Sequence, residues 1–405
     1  MMYSRAATVG NVKRTFAMAW AIGFLAVANP AVGTVHTVTD FGDSGGAGQL
    51  RTLLNTASPG DTIFIPPGTV VLTGASGENL NSSGDLDLTR DVTIVGAGAE
   101  LTVIDANGVD RALHVLSGVV ATVSGVTLRN GKVDLDAPGE PSGGGVLNRG
   151  DLRLAGVVVE SNFAGGGGGI ANFAGTLTLV GSAVRANSST GVTANGGGIA
   201  NFAVAIIESS SITGNRVFGP SSSTLGGGII NLGTLAVSNS TISGNTASGN
   251  FGGGIYQTPF AVLMTLVNVT IADNSAGLLG GGLGHVGGKV TMVNTIISGN
   301  RAGGVSPDCF GMIDSLGHNL IEVVTGCTLA GIATGNVLGR SARLWPLASN
   351  GGPTQTHALR NSSAAIDGGD NAACPAADQR GVARPQDGDR RGAVICDIGA
   401  FELER

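Results

Sequence analysis

A glycine triplet, followed by a branched apolar residue and, two positions later, usually Asn, occurs six times in the middle of this chain. The copies begin at Gly143, Gly167, Gly196, Gly226, Gly252 and Gly280, at intervals of 24 to 30 residues. An apolar-rich run that ends in Asn accompanies each triplet. These runs end at Asn162, Asn187, Asn215, Asn245, Asn274 and Asn300. A repeat of this length, rich in β-branched residues and without helical periodicity, is typical of one turn of a parallel β-solenoid.

The runs within each repeat alternate aliphatic residues with Thr, Ser or Ala, as residues 233–239 and 262–268 do. Alternation at period two puts the aliphatic side chains on one face of a strand. Stacking successive turns about 4.8 Å apart then closes a continuous core. We expect the Asn residues to adopt the left-handed conformation at a corner and to hydrogen-bond as a ladder along the axis.

Glycine makes up 70 of the 405 residues, so a disordered linker is the alternative to a solenoid. The regular period and the 42% apolar content argue against it. A β-propeller would need units of about 40 residues and a Trp-Asp or similar blade motif. We therefore predict an all-β, single-stranded, right-handed parallel β-helix over residues 90–344, with about ten turns.

Residues 1–33 have the features of a secretion signal. Arg5, Lys13 and Arg14 precede an apolar core at residues 16–28, which is too short to span a bilayer comfortably. A single N-terminal membrane anchor is the alternative. Removing residues 1–33 leaves 19 basic and 28 acidic residues, a net charge of −9, which disfavours nucleic acid as a partner. We expect a monomeric protein, secreted or at the cell surface, without a transmembrane segment in the mature chain.

The four cysteines are Cys309, Cys327, Cys374 and Cys396. In an exported protein the local pairs Cys309–Cys327 and Cys374–Cys396 are the natural expectation, although three connectivities are formally open. No Cys or His spacing predicts a zinc site.

Both open ends of a solenoid expose unpaired strand edges that need cover. Residues 48–57 form a short amphipathic segment before the turn-and-strand sequence 58–68, which predicts a helical plug over the first coil within a cap region at 34–89. Residues 345–405, rich in Pro, Asp and Arg, are predicted to fold back over the last turns as a disulfide-stapled C-terminal cap.

The entry sequence at 59–63, Pro-Gly-Asp-Thr-Ile, resembles the start of β-helix proteins of the pectate-lyase-like superfamily, and the repeats are similar to those of polymorphic outer-membrane proteins. The terminal segment resembles the choice-of-anchor Q family of exported bacterial β-helix proteins. The resemblance lies in residues 345–359, 365–370, 378–381, 384–385 and 396–402. It covers most of the mature chain and implies the fold and export, with no particular reaction.

Pectate-lyase-like enzymes act on a lateral face of the coil, with carboxylates that bind Ca²⁺ and a basic residue, or with paired carboxylates. In the regular repeats we find no charged residues that stack at corresponding positions of successive turns. We interpret the charged residues there as isolated surface groups: Glu160, Arg185, Glu208, Arg216 and Asp273.

Charge is denser in the early turns, at Asp105, Asp110, Arg111 and His114 and beyond. The candidate catalytic residues are Arg129, Lys132, Asp134 and Asp136, because a carboxylate pair beside a base on a loop would suit a lyase. The alternative is that these charges only keep the loop solvated. Removal of residues 1–33 leaves one Trp and one Tyr, so aromatic platforms for sugars are scarce.

Four carboxylates of the terminal segment are candidate Ca²⁺ ligands, in Asp-Gly-Gly-Asp and Asp-Gly-Asp sequences: Asp367, Asp370, Asp387 and Asp389. Neither sequence matches an EF-hand loop, and the alternative is that they form turns and pair with nearby arginines. No other cofactor is predicted.

Two functions remain open. The first is a structural or adhesive surface module, without catalysis, that binds an extracellular polysaccharide or cell-surface ligand. The second is a polysaccharide lyase or glycoside hydrolase acting on a lateral face. A column of acidic and basic residues across adjacent turns would favour the second.

Overall fold

Each coil of the chain is built from the same succession of short strands, and strands of successive coils pair in parallel and in register. The computed structural model describes residues 33–77, 79–133, 135, 140–191, 194–219, 224–303 and 307–404. Within these residues the fold is an all-β parallel solenoid of about ten turns, which confirms that prediction. The predicted signal at 1–33 lies, apart from Gly33, outside the described residues.

Three sheets run along the solenoid, and the first bends sharply into two ladders. Ladder 1a contains the short strands after the glycine triplets and their counterparts: β4 (Leu86–Leu88), β7 (Leu113–Val115), β10 (Val146–Asn148), β14 (Ile170–Asn172), β18 (Ile199–Asn201), β22 (Ile229–Asn231), β26 (Ile255–Gln257) and β30 (Leu283–His285). Ladder 1b contains the longer strands: β1 (Val35–Thr37), β2 (Asp61–Ile65), β5 (Val92–Gly96), β8 (Val120–Ser124), β11 (Asp151–Ala155), β15 (Thr176–Val180), β19 (Val204–Glu208), β23 (Thr234–Ser238), β27 (Leu263–Val267), β31 (Lys289–Val293), β34 (Cys309–Leu316) and β36 (Cys327–Ile332).

Sheet 2 runs from the first coils to the last, whereas sheet 3, within the described residues, has strands in six of the middle coils. Sheet 2 contains β3 (Gly68–Val71), β6 (Thr102–Asp105), β9 (Thr127–Arg129), β12 (Val158–Glu160), β16 (Ala183–Arg185), β20 (Ser211–Thr213), β24 (Thr241–Ser243), β28 (Thr270–Ala272), β32 (Ile296–Ser298), β35 (Leu320–Ile321) and β37 (Val337–Leu338). Sheet 3 contains β13 (Phe163–Ala164), β17 (Ser188–Thr190), β21 (Arg216–Phe218), β25 (Thr246–Ala247), β29 (Ser275–Ala276) and β33 (Arg301–Ala302).

The core is a set of aliphatic columns that run along the axis. In sheet 2 the central residue of each strand points inward, as Ile212, Ile242 and Ile271 do. In the five-residue strands of ladder 1b from β8 to β31 the second and fourth residues do so, for example Leu235 and Val237. The period-two alternation of the sequence therefore selects the face that is removed from water.

The glycine triplets are needed for two different reasons. Gly226 takes φ 66°, in the left-handed region that favours glycine. A Cβ on Gly227 would lie 2.5 Å from the carbonyl oxygen of Gly253, and one on Gly228 would lie 2.6 Å from that of Gly254. Successive coils thus approach so closely at this corner that a side chain has no room.

The expected Asn ladder forms between sheets 2 and 3. Each buried Asn donates from Nδ2 to Oδ1 of the Asn one turn later, with Asn215–Asn245 and Asn245–Asn274 both at 2.9 Å. The ladder runs from Asn162 through Asn187 to Asn300 and ends at Asp308, whose Oδ1 accepts from Asn300 at 2.9 Å. A carboxylate suits this terminus because it only accepts hydrogen bonds.

The left-handed conformation at this corner belongs to the residue before each ladder Asn, so the expectation that the Asn itself adopts it is wrong. Ser161, Ala186 and Asp273 have φ near 55°, and Gly214 and Gly244 fill the same place in other turns. The Asn instead turns its amide inward to reach the next coil. Left-handed Asn residues occur at the other corner, between ladder 1b and sheet 2: Asn239, Asn268 and Asn294.

A second amide ladder, which the sequence analysis did not predict, joins the corner between ladders 1a and 1b. Asn148, Asn172, Asn201 and Asn231 each donate to the next member, and Gln257 accepts the last bond at 2.7 Å. The sequence signal for it is the Asn that closes each glycine-triplet motif.

The N-terminal end of the core is plugged by a short helix, α1 (Leu50–Thr56), inside the predicted segment 48–57. Leu50 and Leu54 are buried in the main core. Arg51 is buried as well, and its guanidinium donates to the Asp43 carboxylate at 2.7 Å and to the Gly84 carbonyl at 2.8 Å. Residues of the plug are thereby tied to the first coils.

The C-terminal segment, residues 345–404, packs against the side of the solenoid. Its residues contact the corner Asn side chains and the outer face of sheet 2: Asn239 donates to the Ala377 carbonyl, Asn294 to that of Asp370, and Thr241 to Gln379 Oε1. A small apolar cluster that includes Ile296, Leu320 and Phe401 completes the contact.

This path differs from the expected cap over the open end. Strand β36 pairs with β34 on one side and, within the described residues, with no strand on the other. Ile332 on it is 51% exposed. The segment therefore covers the flank of the last turns, through its contacts with sheet 2 and its corner residues.

Both expected disulfides are confirmed: Cys309–Cys327 joins β34 to β36, and Cys374–Cys396 lies within the C-terminal segment. None of the described helices has the length and apolar character needed to cross a membrane.

Candidate functional site

Sheet 2 presents two outward columns of side chains, one on each side of its buried central column. In the early turns the first outward column contains Thr127, Val158, Ala183 and Ser211, which are in register. These side chains are short, so they leave a depression beside the longer side chains of the neighbouring column. The C-terminal segment covers the same column in later turns, at Thr241 and Thr270.

The second outward column carries alternating charges over four successive turns. Asp105 pairs in register with Arg129, Arg129 with Glu160, and Glu160 with Arg185. Arg129 Nε lies 2.8 Å from Asp105 Oδ2, and Arg185 Nε lies 2.7 Å from Glu160 Oε2. The interpretation of Glu160 and Arg185 as isolated surface residues is therefore wrong.

The column is hard to see in the sequence because its members are unequally spaced. Asp105 and Arg129 are 24 residues apart, and Glu160 and Arg185 are 25 apart. Between Arg129 and Glu160 the separation is 31, although these two residues are also in register. The column of alternating charges becomes visible only when the strands of successive turns are aligned by their register.

The electrostatics of the column favour stable ion pairs. Burial raises the pKa of Asp105, but hydrogen bonds from Asn130, Asn107 and Arg129 outweigh it and hold that pKa below its ordinary value. Asp105 is consequently ionised at neutral pH and is a poor proton donor. It serves to fix the Arg129 guanidinium in one orientation.

A groove of about 620 Å³ lies over these two columns. Its floor is the low column from Thr127 to Ser211, and one side is formed by Arg129, Glu160 and Arg185. Residues 349 and 352–355 of the C-terminal segment form the opposite wall. Thr354 anchors that wall: its Oγ1 donates to the Ser209 carbonyl at 3.2 Å and accepts from Gln379 at 2.8 Å.

Of the predicted catalytic residues, the structure describes Arg129 and Lys132, and these two lie on different sheets. Arg129 lines the groove, whereas Lys132 is exposed beyond the Asn corner and aligns with Phe163 of sheet 3. Asp134 and Asp136 lie outside the described residues. Of the two described candidates, Arg129 alone lines the groove, together with Glu160 and Arg185, which the sequence analysis set aside.

Three of the four candidate Ca²⁺ ligands do meet. Carboxylate oxygens of Asp367, Asp387 and Asp389 lie within 4.8 Å of one another, while Asp370 is absent from this group and accepts from the Ala372 N–H. Backbone N–H groups already occupy the oxygens of Asp367 and Asp387. Burial raises the pKa of Asp367, with the Asp389 carboxyl acting in the same direction. These contacts are those of a tight polar turn.

A further polar site, absent from the sequence analysis, lies under the C-terminal segment. His357 Nδ1 is 2.8 Å from the Trp345 carbonyl, so this nitrogen carries the proton, and Nε2 accepts from the Ser243 hydroxyl at 2.8 Å. His357 and Ser243 are each only 1% exposed to solvent. The pair is closed to a substrate, and its role is to hold the segment on sheet 2.

Comparison with known proteins gives a likeness at the level of the fold. No family model matches the chain, and no curated protein matches it. Among solved structures it is similar to the pectate lyase Pel9A, with a TM-score of 0.52 and 12% identity over 93% of this chain and 98% of that one. It is also similar to the A-module of the Azotobacter vinelandii mannuronan C-5 epimerase AlgE4, with a TM-score of 0.30 and 15% identity over 69% of this chain and 87% of that one, too low a score for any conclusion. The likeness to the lyase shows that this chain has the parallel β-helix fold of the pectate-lyase type.

Proposed function

We propose that the chain is an exported β-helix protein that binds an extracellular polysaccharide along the groove of sheet 2, without catalysis. The single observation that carries the proposal is the groove itself, with its low floor and its alternating column of Arg129, Glu160 and Arg185. Five strands of sheet 2, from β6 to β20, contribute to it. At a spacing of about 4.8 Å they give a length of about 19 Å, which suits an extended polymer better than a small metabolite.

The side chains of the groove are suited to sugar hydroxyls and carboxylates. The Arg129 and Arg185 side chains are 38% and 47% exposed, so each guanidinium pairs with a carboxylate and still offers N–H groups to solvent. Arginine presents its donors in a planar fork that matches carboxylate oxygens, and it also donates to hydroxyls. Ser211, Thr127 and the Thr354–Gln355 wall add neutral polar contacts.

Binding is favoured over catalysis because the charges of the groove are paired. Arg129 is held by Asp105 and Arg185 by Glu160, so neither guanidinium stands as a free base. Asp105 is kept ionised, as its lowered pKa requires.

Export, membership of the choice-of-anchor Q family and a monomeric state belong to the same proposal. Two disulfides are typical of an oxidising compartment. Residues 1–33 supply the predicted signal. A supporting result would be recovery of the mature protein outside the cell, cleaved near residue 33 and monomeric by light scattering.

The test is a binding assay of the mature chain against acidic and neutral polysaccharides, for example by affinity electrophoresis. Arg185→Ala and Glu160→Gln should weaken retardation by the bound polymer. Arg216→Ala is the matched control, since Arg216 is an exposed cation on sheet 3, away from the groove. Equal binding by all three variants, or no binding to any polymer, would refute the groove as the site.

A polysaccharide lyase or hydrolase is the second candidate, favoured by the presence of the charged column on a lateral face. Incubation with the same polymers, with and without Ca²⁺, and detection of new reducing or unsaturated ends would identify it. Turnover that is lost in Glu160→Gln and retained in Arg216→Ala would replace the binding proposal by this one.

A further inference from the structure

A second polar cluster lies on the outer face of ladder 1a, at the end of the molecule that α1 plugs. Asp85 immediately precedes β4, and Asp87 lies within it, so the two carboxylates flank the inward Leu86 and share one face of the chain. Asp87 is in register with His114 of β7. All three side chains are buried, with exposures of 1%, 2% and 5% respectively.

Hydrogen bonds fix the geometry of this cluster. Asp87 Oδ1 lies 2.8 Å from His114 Nδ1, and Asp87 Oδ2 accepts from the Asn81 N–H at 3.0 Å. A carboxylate that faces Nδ1 holds the proton on that nitrogen and leaves Nε2 with a lone pair. This second contact of a histidine is the usual one when the other ring nitrogen ligates a metal.

Two acceptor atoms of the cluster have no hydrogen-bond partner among the described residues: Asp85 Oδ1 and His114 Nε2. Buried polar atoms in folded proteins are almost always paired, and leaving one unpaired costs on the order of 1–3 kcal/mol. Two such acceptors, in neighbouring side chains, indicate a missing electron-pair acceptor at this place.

The balance of charges around Asp85 also favours a bound cation. Asp85 and Asp110 both lie against Arg111, whose Nη1 is 3.5 Å from Asp85 Oδ2 and 3.6 Å from Asp110 Oδ1. Arg51, the next cation, is engaged by Asp43. The buried carboxylates thus outnumber the cations near them.

We propose that Asp85 and His114 ligate a divalent first-row transition-metal ion of the Zn²⁺ type through Oδ1 and Nε2, while Asp87 orients the imidazole from its Nδ1 side. A carboxylate oxygen of each aspartate and a ring nitrogen of the histidine lie within 4.8 Å of one another. Two ligands of one zinc ion, each about 2.0–2.2 Å away, are at most about 4.4 Å apart, so only a small contraction is needed. The imidazole selects against Ca²⁺ and Mg²⁺, which take oxygen ligands.

The ion would join two successive coils just beneath the plug. Asp85 and Asp87 belong to the coil of β4 and His114 to that of β7. The Asp85 carbonyl also accepts from Arg51 of α1 at 2.5 Å, so the site is connected to the helix. Binding to the folded state alone raises stability with metal concentration.

The test uses untagged mature protein, freed of metal by chelation, and titrates Zn²⁺ by calorimetry with elemental analysis of the dialysed product. We expect one equivalent of Zn²⁺ and a rise in melting temperature with metal concentration. Asp85→Asn, which keeps the shape of the side chain, and His114→Gln should each weaken Zn²⁺ binding by more than about tenfold. Circular dichroism checks that both variants remain folded without metal.

Asp389→Asn is the matched control, because it alters the other carboxylate cluster, at Asp367 and Asp387. It should leave the stoichiometry and the melting shift unchanged. The proposal is overturned if metal-free protein takes up no Zn²⁺, if Asp85→Asn and His114→Gln bind it as tightly as the parent, or if Asp389→Asn alone abolishes uptake. Uptake of Ca²⁺ in preference to Zn²⁺ would overturn it as well.

Discussion

At the scale of single residues, the amides at the corners do more than terminate strands. Asn245 donates to Asn274 at 2.9 Å and to the Ile212 carbonyl at 2.8 Å, while its own Oδ1 accepts from the side chain and the backbone N–H of Asn215. This one side chain therefore bonds polar groups of the coil before it and of the coil after it. The residue before it, Gly244, takes the strained backbone conformation, so the two tasks are divided between neighbours.

Replacing Asn245 by Val should destabilise the protein by about 1–3 kcal/mol, because four buried hydrogen bonds are lost and Asn215 is left without its acceptor. The backbone at 245 itself is not left-handed, so strain adds little. Chemical denaturation with two independent probes measures the change.

Thr246→Val is the matched control one residue later, at a half-buried position of sheet 3. It should shift the free energy of unfolding by less than about 0.5 kcal/mol. A melting curve of Asn245→Val that coincides with that of the parent would show that the ladder contributes nothing to stability.

At the scale of elements, the C-terminal segment is the part of the chain that shapes the groove. It rests on the corner residues Asn239, Asn268 and Asn294, which meet carbonyl groups of the segment. It also shields Ile296 and Leu320 from water. Residues 349 and 352–355, near the start of the segment, form a wall of the groove over earlier turns. Removal of the segment would therefore alter both stability and the candidate site.

Truncation after Arg343 should give an aggregating or poorly secreted protein, since the outer columns of sheet 2 at Thr241, Thr270 and Ile296 would face solvent. Secretion yield and size-exclusion chromatography measure the effect. Should the truncated chain be soluble, monomeric and as stable as the parent, the segment is a dispensable attachment.

Docking of the segment should also depend on pH through His357. Burial lowers the pKa of His357 below its ordinary value of 6.5, despite opposing effects of the Trp345 carbonyl and Asp273. A group whose folded pKa is depressed contributes stability that is present above its unfolded pKa and is lost as the pH falls. Hydrogen exchange of residues 345–404 should therefore accelerate as the pH drops below 6.5, after correction for intrinsic rates.

Asp397 acts at the opposite side of the pH range. Burial and the Glu402 carboxyl raise the pKa of Asp397 to about 7, so the stability that Asp397 contributes is present at low pH and is lost as the pH rises through about 7.

The variant His357→Gln tests the prediction for His357. It should remove only the faster hydrogen exchange at low pH. A variant that still loosens below pH 6.5 to the same extent would exclude His357 as the cause.

At the scale of the whole molecule, stability is approximately a sum over neighbouring coils. The middle coils are paired on both sides and carry both amide ladders, whereas β36 is half-buried and, in the part of the chain that the structure describes, pairs with β34 alone. The coils therefore differ in their resistance to local opening, although they share one architecture.

Amide exchange should be slowest in the middle coils, for example β23 and β24, and fastest in β36 and β37, because local opening at the end breaks fewer contacts. Reduction of Cys309–Cys327 should accelerate exchange in β36 further, as the covalent link to β34 is lost. Mass-spectrometric exchange resolves this gradient. Uniform protection along the axis would contradict the nearest-neighbour account.

The accuracy of the sequence-based predictions follows the same scales. The coils and the ladder from Asn162 to Asn300 were predictable because each turn repeats the same local requirement for Gly or Asn. The column from Asp105 to Arg185 was not, because its members are unequally spaced in the sequence although they are in register. Asp85 was not singled out, and His114 was named only among the charges of the early turns, because neither belongs to a repeated signature. The path of the C-terminal segment depends on contacts such as Ser243–His357, 114 residues apart, which local patterns do not encode.

The one-way sense of the Asn ladder makes the number of coils an adjustable quantity. Every amide from Asn162 to Asn300 donates toward the same end, so a unit such as the 30 residues from Asn215 to Asn245 offers one donor forward and one acceptor backward. Duplicating or deleting such a unit returns the same hydrogen bonds at both of its junctions. Only Asp308 cannot be moved inward, because it accepts and does not donate. The solenoid can thus lengthen or shorten by whole turns during evolution or design, while a single carboxylate marks where the ladder stops.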